Sequence, residues 1–65
     1  MKLEHYQIDI NPLSENEAGN AQRCLEENAF ICDPVSRNVY DVFFDSEYNI
    51  ATMPELKNCI ITPLP

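Results

Sequence analysis

The stretch Asn38-Val39-Tyr40-Asp41-Val42-Phe43-Phe44-Asp45 decides how this chain folds. It is short and rich in β-branched and aromatic residues, and it runs into the turn-forming cluster Ser46-Glu47-Tyr48-Asn49, a pattern that predicts a strand. Side chains alternate across a strand, so Tyr40, Val42 and Phe44 share one side while Val39, Asp41, Phe43 and Asp45 share the other. The first set can form a core wall. The second mixes two aspartates with two large apolar groups, an odd composition for a surface that meets only water.

Before this stretch, residues 2–10 read as a first strand. Tyr6, Ile8 and Ile10 alternate onto one face, Leu3, His5, Gln7 and Asp9 onto the other, and Asn11-Pro12 ends the run. Residues 14–28 read as the one substantial helix. Ser14 is a good N-cap, Glu17 completes a capping box, and Leu13 and Ala18 stand at the staple positions. Ala18, Ala21, Leu25 and Ala29 make a thin apolar stripe, and Gly19 weakens the helix by roughly 1 kcal/mol relative to alanine. Phe30-Ile31-Cys32 reads as a short strand and Asp33-Pro34-Val35-Ser36 as a type I turn.

Beyond the central stretch, Ile50-Ala51-Thr52-Met53 reads as a return strand, which would complete a three-stranded antiparallel meander. Pro54 to Asn58 reads as a helical turn with proline first, and Cys59-Ile60-Ile61-Thr62 as a final strand. The expected fold is α+β: a single domain over residues 1–65, with one helix packed on a small, mostly antiparallel sheet of about four strands in β-α-β-β-β order. One helix covers one sheet face. The other, carrying Leu3, His5, Gln7, Asp9, Val39, Asp41, Phe43 and Asp45, is left for the C-terminal tail or for a partner.

The charge narrows the classes of partner. Eleven carboxylates against four basic side chains give a net charge of −7, dispersed along the chain rather than gathered in a tail. Such a field repels DNA, RNA and anionic membranes and attracts basic protein surfaces; direct nucleic-acid binding needs clustered Lys and Arg. The polar start Met1-Lys2-Leu3-Glu4-His5-Tyr6 holds no apolar targeting core, and no run approaches the length of a membrane span. The expectation is a cytoplasmic protein. Three cysteines without a CxxC pair fit free, buried thiols in a reducing compartment.

Four constellations could carry chemistry. His5, Cys24, Cys32 and Cys59 form a chemically suitable zinc set, but structural zinc ligands come in close pairs and these are scattered, so no metal is expected. Asp41 with Asp9 or Asp45 could be an acid/base pair, yet such work needs a pocket that drives two carboxyl pKa values apart, and solvated surface charges are the simpler reading. A cysteine nucleophile served by His5 is formally possible, but Cys24 lies mid-helix and Cys32 and Cys59 lie beside isoleucines, so none is expected to be activated. No enzyme and no cofactor is expected.

The fourth constellation is an acidic binding surface drawn from Glu26 and Glu27 on the helix, Glu15 and Glu17 at its start, and Asp41, Asp45 and Glu47 on and after the central strand. Phe43 would be its apolar anchor, flanked by acids as an interface core is by its rim. Against this stands acidity kept for solubility alone, and Phe43 and Val39 packed beneath Ile60-Ile61.

In size, acidity and strand-helix-meander order, though in no specific motif, the chain resembles the very small acidic anti-CRISPR proteins that phages and mobile elements make against host defence, some of which mimic DNA electrostatically. The resemblance implies a stoichiometric inhibitor working in the host cytoplasm. Such an inhibitor would block DNA access to, or assembly of, a CRISPR effector complex, by occupying a basic, nucleic-acid-binding groove and without a cofactor. The alternative is a homodimeric structural or regulatory module in which the Val39/Phe43 face pairs with its own copy. Asp41 and Asp45 would then approach their own counterparts, which favours a monomer.

Overall fold

Alternating apolar residues build one wall of the core, and a single helix closes it. The computed structural model describes residues 2–65. Along the chain run β1 (Leu3–Asp9), α1 (Glu15–Asn28), β2 (Ile31–Ser36), β3 (Val39–Asp45), two single 3-10 turns (Ile50–Thr52 and Pro54–Leu56) and β4 (Ile60–Leu64). The four strands form one sheet in the order β2-β3-β1-β4, every neighbouring pair antiparallel. The fold is α+β, one helix on one face of this sheet.

The core takes Ile8 and Ile10 from the β1 side, Val42 and Phe44 from β3, Ala21, Cys24 and Leu25 from α1, and Ile50 and Leu56 from the 3-10 turns. Phe44 is fully buried, which contributes about 1.5–3 kcal/mol relative to an exposed ring. The helix begins as its sequence dictates. The Glu17 N–H donates to Ser14 Oγ (3.3 Å), and the Ser14 N–H donates back to Glu17 Oε1 (3.1 Å). At the other end, Asn28 Nδ2 donates to the Cys24 carbonyl (2.9 Å) and the Ala29 N–H to the Leu25 carbonyl (2.9 Å), serving acceptors that the helix leaves free.

Three elements depart from the sequence reading. Asp33-Pro34-Val35-Ser36 continues β2 instead of turning; the turn is the two-residue Arg37-Asn38, with Asn38 at φ 60°, a left-handed conformation asparagine tolerates better than most residues. Ile50–Met53 is not a return strand. The N–H and hydroxyl of Thr52 bond the Asn49 carbonyl (3.0 and 2.8 Å) and the Met53 N–H bonds Ile50 (3.2 Å), so local bonds close a 3-10 turn that plugs Ile50 into the core. The fourth strand is the tail, Ile60–Leu64, which crosses to the far side of β1 and so replaces the meander with a crossover.

Candidate partner-binding face

The sheet has two faces and α1 covers only one. Register places the other face in cross-strand rows. One row reads Ile31, Phe43, His5, Leu64 across β2, β3, β1 and β4, and the next Asp33, Asp41, Gln7, Thr62. A third sets Val39, Asp9 and Ile60 side by side. Leu3 (38% exposed), Ile31 (40%) and Ile60 (54%) are exposed on this side, His5, Phe43 and Leu64 are half-buried, and Val39 is buried (9%). The tail therefore does not cover the face; its strand extends the face by one more column.

The charge on this face is one-sided. All four aspartates of the chain, Asp9, Asp33, Asp41 and Asp45, occupy positions whose side chains project here, and no Lys or Arg does. Asp33 and Asp41 are direct cross-strand partners. Like charges so placed repel, a local cost that the fold retains. Asp9 and Asp45 lie towards the two ends of the face and double as turn formers: Asp9 Oδ1 accepts the Asn11 N–H (2.9 Å), and Asp45 Oδ1 accepts the Glu47 N–H (3.1 Å).

His5 and Phe43 are adjacent across β1 and β3 and stack, their ring centroids 4.2 Å apart and their planes within 10°. The stack places His5 Nε2 3.6 Å from Asp41 Oδ2, too long for a hydrogen bond but close enough for an ion pair once the ring is protonated. Nε2 is shielded and has no hydrogen-bond partner among the described residues. The centre of the face is thus a flat aromatic-imidazole platform bordered by the Asp33–Asp41 pair.

The residues singled out by sequence separate on this scaffold. Asp41, Phe43 and Asp45 share the open face, and Glu47 sits on the turn after β3 at its end. Glu26 and Glu27 are exposed on α1, across the sheet from the others, so the two groups do not form one surface. The face also holds Ile31, on a short strand whose facing the sequence leaves open, Asp33, which a turn at 33–36 would take out of the sheet, and Leu64, which falls in a proline-flanked tail. The shared odd numbering of the four aspartates was the available signal, since it spans three strands in one phase.

The sheet edges are poorly suited to pairing. The bonds Ile10 N–H to Asn38 O (2.9 Å) and Ser46 N–H to Lys2 O (2.8 Å) bracket the β1–β3 ladder and set its phase. Cys32 and Pro34 on β2, and Ile61 and Pro63 on β4, then direct their backbone groups outward. Each edge carries a proline where a docking strand would need an N–H donor.

The cysteines lie away from this face. Cys24 is buried and Cys32 and Cys59 half-buried against the helix-side core, whereas His5 is on the opposite side of the sheet. Burial first, with nearby carboxylates adding to it, raises the Cys24 and Cys32 thiols above the ordinary value; burial, with Cys24 and then carboxylates adding, takes Cys59 to about 11. Neutral thiols of this kind are poor nucleophiles. Among the described residues, no helix is long and apolar enough to cross a membrane. No family model matches the chain, and no curated protein or solved structure matches it.

Proposed function

We propose that this chain is a non-enzymatic binding protein whose open sheet face docks on a basic, nucleic-acid-binding surface of a protein partner and blocks it. The observation that carries this reading is the uncovered face itself: the row Ile31, Phe43, His5 and Leu64 crossing all four strands, apolar but for the stacked imidazole, set among four aspartates and free of Lys and Arg. The apolar row supplies area that gains from leaving water, and the carboxylates select Arg and Lys around the contact. A net charge of −7 adds long-range attraction to a basic surface and so speeds encounter. Proline on both edges disfavours strand addition and leaves the face as the route of contact. The resemblance in size and acidity to anti-CRISPR proteins makes a CRISPR effector complex in the host cytoplasm the first target to try.

The test compares three immobilised proteins in capture from host lysate at low and high salt: the native chain, a face variant (Asp33→Lys with Asp41→Lys) and a helix variant (Glu26→Lys with Glu27→Lys). The expected result is a nucleic-acid-binding partner that the native and helix variants retain, that the face variant loses, and that duplex DNA displaces. Capture that survives reversal of the face charges and Phe43→Ala would overturn the reading. A dilute native protein sedimenting as a dimer, with Phe43→Ala monomeric, would assign the face to a second copy of the chain instead.

A further inference from the structure

The face is small. Strands of five to seven residues, with roughly 3.3 Å per residue and about 4.8 Å between strands, give roughly 400 Å² in projection. A standard interface takes about 800 Å² from each partner. A partner seated on the face therefore needs adjoining surface, and a groove of about 340 Å³ opens at the end where β1 begins and β4 ends, lined by His5, Phe43 and Leu64 of the face together with Glu4, Tyr6 and Pro63. These last three also line a larger groove of about 530 Å³ on the helix side of the sheet, walled by Tyr48. Glu4, Tyr6 and Pro63 thus link the open face to a second cavity around the end of the sheet.

We infer that this second groove is a binding site for the side chain of an arginine, donated by the partner's basic surface. Three features fit a guanidinium. Glu4 supplies a carboxylate on the helix-side face of β1, where its neighbours Tyr6 and Ile8 are core-facing. The Tyr6 hydroxyl donates to Glu4 Oε2, which fixes the carboxylate, and Oε1 accepts no bond among the described residues. No Lys or Arg among the described residues lies within ion-pair distance of Glu4, so its charge is not already answered within the chain. Tyr48 is 46% exposed, and its ring is held edge-on against the buried Phe44 with centroids 5.9 Å apart, which steadies one aromatic wall.

A planar cation that stacks on tyrosine while forking onto a carboxylate matches this set better than the compact ammonium of lysine. An uncharged side chain of similar length would leave the carboxylate unanswered. The inference rests on the reading of a basic partner, but its test does not need that partner.

The probe is N-acetyl-arginine methylamide, titrated into the isotope-labelled protein by NMR, with N-acetyl-citrulline methylamide as the uncharged isostere. Saturable shifts confined to Glu4, Tyr6 and the 46–51 segment are expected, absent with the citrulline probe. Glu4→Gln, which keeps the shape and a bond to Tyr6, should weaken arginine binding about tenfold or more, in line with the loss of a charge-assisted bond. The control Glu15→Gln, in the first turn of α1 and outside the groove, should leave it unchanged. Shifts that do not saturate or that scatter over all acidic surfaces would overturn the site, as would equal binding by Glu4→Gln. Arginine binding together with failed partner capture would remove the docking reading and leave the groove standing; the reverse pairing would remove the groove alone.

Discussion

Asp33 and Asp41 show what single residues contribute to this protein. They face each other across β2 and β3, and each would be more comfortable opposite almost any other polar residue. Asp33→Thr replaces the repulsion with a strand-favouring side chain and should stabilise the fold by about 0.5 kcal/mol. Urea unfolding should report a higher midpoint at unchanged slope. The same variant should bind the partner more weakly. A stability gain with undiminished binding would assign Asp33 no part in contact. His5 and Phe43 are the counterpart: their stack is a favourable pair on the same face, and it holds the imidazole beside Asp41. Attractive and repulsive neighbours one row apart are hard to reconcile with selection for stability alone, but they suit a surface kept for recognition.

At the scale of elements, α1 is the part written most legibly in the sequence. Its start depends on Ser14 and Glu17, three residues apart, so no long-range information is needed to place it. The depression of the Glu17 pKa, caused first by the bond from the Ser14 backbone N–H and then by its side chain, gives this cap a pH signature. A carboxyl whose folded pKa is lowered adds stability above its unfolded value and loses it as pH falls through the lower folded value. Thermal stability attributable to the cap should therefore fall in acid below the ordinary glutamate range, and Glu17→Ala should remove that component when melting temperature is followed against pH. Gly19 offers the opposite lever. A methyl group built there meets nothing within 4 Å, and the backbone is ordinary helix. Gly19→Ala should therefore add about 0.5–1 kcal/mol and raise the melting temperature by several degrees. The strands were less legible, for a physical reason. Proline in β2 and β4 is a break signal along the chain, and only the sheet order shows that both prolines lie on outer edges where no donor is required. Likewise, the alternation in 39–45 gave the two faces of β3, but which segments flank it depends on non-local pairing. Ile50–Met53 has strand-like composition and lost that role to local hydrogen bonds.

For the whole molecule, the radius of gyration is 10.6 Å, against about 10.7 Å for a compact chain of this length. The open face is thus a property of a fully condensed fold and not of a loose one. Its two edges and its two faces divide the work: the edges resist pairing, one face holds the core, and the other is exposed. Restoring the missing donors with Pro34→Thr and Pro63→Thr should increase self-association, which sedimentation velocity at rising concentration would show as a growing oligomer fraction; an unchanged monomer would mean that some other feature guards the edges. The common parity of the four aspartates has a further consequence, and it concerns how the sheet finds itself during folding. Strand pairing is most easily mistaken by a slip of one residue, and such a slip in β1, β2 or β3 would turn carboxylates toward the helix and the core. Each of those strands carries at least one aspartate that vetoes its own misalignment, while the uncharged β4, which has none, pairs only with a β1 already set by its neighbour. The aspartates of the open face thus also proofread the assembly of the sheet, and variants that neutralise them should fold to more than one register before they lose their stability.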